Sequence, residues 1–235
     1  MFHASSLPGR RQVIKTGLVL AATGFVGLPL LSMAEGPKRA DAMAEGPKRA
    51  DALEGLYMIG PRDNYSPYIG SLVSMMEYNR STIIGLTKDM TMEQLDHLQD
   101  PQSNTIGALL MHLASTDWFY YNHCFGDPKN IPKDEQAFWD PAMNLGDKGR
   151  QAIKGKELSF YTDLLKGNRE KTLATLRTKD DAWLLSEDPI YSSKDNKLNN
   201  YWCWFHVCEH ESHHSGQIAL LAKRVPGAKP SSEGV

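Results

Sequence analysis

The chain has 235 residues, 41% of them hydrophobic and 23% charged, with a formal net charge of −2. That length supports one domain with a sizeable core, and the balance is that of a folded globular protein. The lack of a basic excess excludes a nucleic-acid binder held by its charge, and three cysteines do not make a disulfide framework.

The first element in chain order reads as an export signal. Arg10, Arg11 and Lys15 precede an uncharged stretch, 16–34, that contains Gly17, Gly24, Gly27 and Pro29. A basic start and a short, weakly apolar core describe a signal peptide, and the paired arginines resemble a twin-arginine signal, which exports folded proteins. Anchoring in the membrane through an uncleaved N-terminus is the alternative. The apolar core is shorter than the about 20 residues a span needs, and Pro29 interrupts it. A tandem repeat follows: 33–42 and 43–52 both read MAEGPKRADA. Two copies of so short a period make no solenoid, and each copy ends in Ala-Asp-Ala, a small-x-small cleavage pattern. The expected organisation is a signal peptide over 1–34, a linker carrying the repeat over 35–62, a helical domain over 63–228 and a flexible tail over 229–235. The expected location is periplasmic or extracellular, with no stable membrane insertion once the signal is cut.

Four long helices are expected next. Ser66 and Pro67 form a helix start, and Ile69, Leu72, Val73, Met76, Ile83 and Leu86 follow at helical spacing to about Lys88. Thr91 and Gln94 have the spacing of a capping box that opens a short helix. Ser103 or Asn104 opens the second long helix, which runs to about Cys124 with Leu109, His112, Phe119 and Tyr120 on its apolar face. The stretch 126–150, rich in Pro, Gly, Asp and Lys, reads as a loop. Leu158, Tyr161, Leu164, Leu165, Leu173 and Leu176 mark the third helix, roughly 155–178. A polar crossover over 179–199 precedes the fourth, which Asn199 or Asn200 opens and which stops near Val225, Pro226 and Gly227. No segment alternates with period 2. The fold class is therefore all-α, a four-helix bundle.

The chemistry lies in a histidine cluster. Four of the eight histidines are His206, His210, His213 and His214. With His206 at 0°, His214 falls at about 80°, His210 at about 40° and Gln217 at about 20° on a helical projection, and His213 near −20°. The imidazoles are read as lying on the inward, apolar stripe. Two imidazoles four residues apart can share one ion, and burying several rings together is costly unless something binds their lone pairs. Residues 210–214 also spell H-E-x-x-H, the zincin pattern, in which Glu211 is the general base of a metalloprotease. A zincin wants a third ligand downstream, and only 21 residues follow His214, with Glu233 the sole carboxylate side chain among them. The cysteines read as small buried residues. Cys203 and Cys208 cannot bridge each other on one helix, and Cys124 with either is an open pairing. His97 and His123 carry no special signal.

The run from His206 to Ile218 resembles the terminal-helix signature of the DinB-like (damage-inducible) metal-binding bundles, and 105–114, with His112, resembles their second-helix motif. The resemblance spans about 66–226. It implies an up-down-down-up bundle with a three-histidine metal site, here His112, His210 and His214. It also implies zinc, or alternatively nickel, as the metal, with water or substrate completing the shell. Relatives include transferases and isomerases that use low-molecular-weight thiols. Ser215 departs from the basic residue of many relatives. Gln217 is the candidate to brace a ligand from one turn beyond, His206 and His213 are neighbours of the site, and Trp118, Tyr121 and Trp202 are candidate pocket walls. Glu211 is the weaker candidate for a general base, against a place on the helix surface. The expected function is that of a metal-dependent transferase or hydrolase acting on a small molecule. A non-catalytic metal or small-ligand binding protein is the alternative, and a metalloprotease ranks after both. The expected partner is a small-molecule substrate, with no nucleic acid; a homodimer is compatible with the sequence.

Overall fold

The structure, a computed structural model, describes residues 55–229. The expected signal peptide, the duplicated segment and all of the expected tail but Lys229 lie outside the described residues. Among the described residues there are eight helices and no strand. Four are long: α1 (Pro67–Thr87), α3 (Ile106–Phe125), α6 (Leu158–Leu176) and α8 (Asn200–Ala222). Four short ones, α2 (Met92–Asp96), α4 (Lys133–Asn144), α5 (Gly146–Ala152) and α7 (Asp181–Leu185), lie in the connections.

Local chemistry explains where these helices begin. Thr91 and Gln94 form the capping box expected of them, so α2 starts there. Asn199 caps α8 by accepting from the Trp202 amide. The cap of α3 is Thr105, one or two residues beyond the expected Ser103 or Asn104. Ser66 does not cap α1 with its own side chain. Its hydroxyl instead donates to Asp181 Oδ1 at 2.6 Å, and that carboxylate also accepts from the Tyr68 and Ile69 amides. Asp181 thus places a negative charge on the positive end of α1 from the far side of the sequence. The expected loop over 126–150 instead folds into α4 and α5. Their polar composition and Pro141 hid them, yet Trp139 and Ala142 are buried. The stretch 55–62, expected within the linker, is tied down where the Gly60 amide donates to Ser74 Oγ at 3.1 Å.

Paired contacts fix the directions of the long helices. Gly107 meets Tyr161, Asn168 bonds to the Ala114 carbonyl, and Thr175 lies against Tyr121, so α3 and α6 run parallel. Tyr68 stacks on Tyr201, and Asn79 bonds to the Cys208 carbonyl, so α1 and α8 are also parallel. Arg80 reaches the Leu165 carbonyl while Arg169 reaches that of Met76, which makes α1 and α6 antiparallel. The order is therefore up, down, down, up, as the family resemblance implied. Each long helix packs on two others: α1 and α3 both touch α6 and α8.

The core has two apolar layers. One includes Ile83, Leu95, Leu109, Leu110, Leu165 and Ile218; the other includes Ile69, Leu72, Met76, Tyr120, Leu176 and Trp204. The approach of α3 to α6 depends on Gly107. A Cβ there would stand 2.8 Å from the Tyr161 hydroxyl, and Tyr161 is fully buried with no room to yield. We predict that Gly107→Ala destabilises the fold by about 1–3 kcal/mol, the usual cost of overpacking, as urea unfolding would measure.

Candidate metal centre

α3 and α8 run antiparallel, and their facing sides bring His112 to His210 and His214. The His112 and His210 Nε2 atoms are 3.2 Å apart, and those of His214 and His210 are 3.1 Å apart. Around a tetrahedral ion with bonds of 2.0–2.1 Å, nitrogens stand about 3.3 Å from one another. His210 thus already stands at coordination spacing from both of the other rings, and all three ligand atoms lie within 4.8 Å of one another. Among the described residues no carboxylate or thiol joins this group.

Each ring has an outer partner on Nδ1. His112 Nδ1 donates to the Ala142 carbonyl at 2.7 Å. That carbonyl is available because α4 ends at Asn144: Leu145 turns to a φ of 50°, and the Gly146 amide goes to Asn104 Oδ1. His214 Nδ1 donates to Gln217 Oε1 at 2.9 Å. His210 Nδ1 lies 3.5 Å from Thr116 Oγ1, whose own proton goes to the His112 carbonyl. With the protons on Nδ1, three Nε2 lone pairs face one another. They cannot hydrogen-bond among themselves, and a cation satisfies all three.

Burial keeps these rings neutral. It lowers the His112 pKa to about 4 and that of His210 to about 3, the latter with help from His214 and His112, and it lowers His214 as well. Neutral imidazole is the form that binds metal. The sign for stability follows. The unfolded chain protonates these rings near 6.5 and the folded one only near 4 for His112, so between those values the unfolded state holds more protons and stability falls as pH falls. In chelator, the thermal midpoint should drop across that window, and the drop should be shallower in a His112→Ala/His210→Ala protein.

Gln217, expected to brace a ligand, does lie on His214. We expect Gln217→Ala to weaken zinc binding about tenfold, the low end for loss of such a partner, as read by competition with a chromophoric chelator. His206 and His213 stand outside the trio. His206 Nδ1 hydrogen-bonds to Glu209 at 2.6 Å, His213 Nδ1 lies 2.9 Å from the other oxygen of that carboxylate, and His206 stacks on Trp202. The His213 side chain is 74% exposed. Trp118 is core: it stacks on Trp139 and donates to Glu135. Tyr121 faces α6, with the Lys171 ammonium 4.1 Å over its ring, and so lies on the side of α3 opposite His112.

Glu211 differs most from expectation. It is 2% exposed, not on the helix surface. The buried side of α8 carries Cys203, Val207, Glu211 and Ile218. Its centre is about 120° round from His206, so His210 and His214 sit on the shoulder of that stripe and His213 beyond it. Glu211 accepts from Arg80 Nε, and its Oε2 accepts from Arg169 Nη2 at 2.9 Å. Asp117 Oδ2 accepts from Arg80 Nη2 at 3.0 Å and Arg169 Nε at 3.1 Å. Arg80 belongs to α1, Asp117 to α3, Arg169 to α6 and Glu211 to α8. This ring of two cations and two anions takes one residue from each long helix, and sequence reasoning missed it. Although burial acts to raise the Glu211 pKa, the two arginines outweigh it and hold the carboxyl below its usual range. Both its oxygens are engaged, and it turns away from the imidazoles.

A family model described as Mycothiol-S-transferase matches residues 71–227, a span that contains all three histidines. No curated protein matches the chain.

Proposed function

Because the chain belongs to the mycothiol-S-transferase family, within the DinB-like superfamily, we propose that it is a metal-dependent transferase that joins a low-molecular-weight thiol to a small electrophile at His112, His210 and His214. The observation that carries this reading is the convergence of three Nε2 lone pairs, His210 standing 3.2 Å from His112 and 3.1 Å from His214, with every Nδ1 turned outward. The donor set is three neutral nitrogens, which suits zinc first and nickel second. Three protein ligands leave at least one position for a reactant, the pattern of catalytic zinc sites. When bound, such an ion supplies Lewis acidity and favours the deprotonated form of a thiol or water brought to it.

The chain's own groups hold that site in shape. The Ala142 carbonyl and Gln217 fix the orientations of His112 and His214. Thr116 bridges the two helices beside His210. Glu211 sets the rotation of α8 rather than taking a proton, so H-E-x-x-H here supports a transferase better than a protease. The reactant is a small molecule, not a nucleic acid, and the paired arginines near the N-terminus support delivery outside the cytoplasm.

The deciding experiment screens zinc-loaded and nickel-loaded protein with thiol and electrophile pairs, then with esters and amides. Turnover is expected with the thiol pairs and should vanish in His112→Ala and His214→Ala. Turnover that persists in both variants, or metal-loaded protein inert to every class, would remove the transferase reading. The second outcome would favour a non-catalytic binding protein.

A further inference from the structure

A second group of ligating side chains lies between the same two helices, toward the other end of the bundle. His123 and Cys124 close α3, Cys203 lies in the first turn of α8, and Asp188 comes from the crossover between α7 and α8. One ligand atom from each of the four lies within 4.8 Å of all the others. His123 Nε2 is 2.7 Å from Asp188 Oδ2, and Cys203 Sγ is 3.9 Å from that same oxygen. His123, Asp188 and Cys203 are buried and Cys124 is partly so, and none of the three cysteines is in a disulfide.

The surroundings hold these groups in place. The other oxygen of Asp188, Oδ1, accepts from the Ile190 and Tyr191 amides at 2.9 and 2.6 Å. The Asp188 amide itself donates to the Leu198 carbonyl, beside the bridge between Glu187 and Asn199. The ring of Tyr191 stacks on His123 at 4.2 Å. One carboxylate oxygen, one imidazole nitrogen and two sulfurs therefore converge at a point removed from water.

We propose that His123, Cys124, Asp188 and Cys203 form a second metal site, one for a thiophilic divalent ion of the zinc class. Thiolates select such ions, and the four donors complete a tetrahedral shell without a vacancy. In such a shell the ligand atoms stand about 3.3–3.8 Å apart, given bonds of 2.0–2.1 Å to nitrogen and oxygen and 2.3 Å to sulfur. Side-chain adjustments of about an ångström would bring the four donors to that spacing. A closed site of this kind is structural. It ties the end of α3, the crossover and the start of α8 to one point. The three-histidine site keeps an open position and has no sulfur, so the two sites differ in spectrum as well as in role.

Cobalt(II) used in place of zinc separates them. Full-length protein, purified under reducing conditions with its thiols counted, should bind roughly two cobalt ions per chain, one per four-coordinate site. It should also show a thiolate-to-cobalt charge-transfer band in the near ultraviolet. Cys124→Ser and Cys203→Ala should each abolish that band and release one ion. His210→Ala should release the other ion and leave the band intact. Absence of the band in reduced wild-type protein, or its survival in both cysteine variants, overturns the proposal. Cys203 is fully buried; should its variant fail to fold, the partly exposed Cys124→Ser decides the matter alone, with helicity checked by circular dichroism.

Discussion

Replacing His210 with alanine should empty the three-histidine site and abolish the proposed thiol transfer together. His210 is the middle member of the trio, with its Nε2 3.2 Å from that of His112 and 3.1 Å from that of His214. The other two rings cannot bracket an ion without it. Zinc sites of four protein ligands bind with about 10–16 kcal/mol, or about 2.5–4 kcal/mol per ligand. Loss of one ligand should therefore weaken binding on the order of 10²–10³-fold. Equilibrium competition against a chelator of known affinity gives the number, and the thiol-transfer assay gives the functional loss. A His210→Ala protein that binds zinc at this site as tightly as wild type would show that the three imidazoles are not a ligand set.

Arg169→Met should be strongly destabilising. It leaves Asp117 and Glu211, 0% and 2% exposed, with Arg80 as their only cation in the ring. Stripping one partner from a buried ion pair costs about 3–5 kcal/mol, because a charge is left uncompensated. Removing a cation and an anion together, as Arg169→Met/Glu211→Leu, keeps the remaining Arg80 and Asp117 neutral as a pair. The double variant should therefore be the more stable of the two in urea, and the reverse order would mean that the ring is not what couples these residues. Zinc affinity should fall about tenfold in the single variant through loss of an outer support, since Glu211 is the residue next to His210 and its clamp sets the rotation of α8.

The helices were legible because their boundaries rest on local chemistry. Thr91 and Gln94, Asn199, and the apolar repeats of α1, α3 and α6 need no tertiary information. The His112, His210 and His214 grouping was legible for a different reason: two rings at four-residue spacing on one helix, and a third in a motif on another. What stayed hidden depends on packing. α4 has a polar sequence with an internal Pro141, and its contribution to the site is a backbone carbonyl, which no side-chain pattern reveals. The histidines mark the wrong centre for the inward face of α8, which lies on Val207 and Ile218, and a face centred on them puts Glu211 at the surface. A charged residue at the centre of an apolar stripe was the available signal, and Asp117 and Arg169 carry the same signal in α3 and α6. His123 reads as an isolated ring in the sequence, although Cys124 beside it and Cys203 facing it from α8 make it part of a group.

His112 and His210 are 98 residues apart in sequence, and the ring beside them takes one residue from each long helix. A contact of that separation forms late, after the chain has accepted the entropy of a long closure. Of the four long helices, α8 is the last to be made. Until it is present, His112 has neither His210 nor His214 opposite it. A metal at this site should therefore be taken up by the packed bundle, from the ions available where folding ends, which refolding in the presence of competing metals would check.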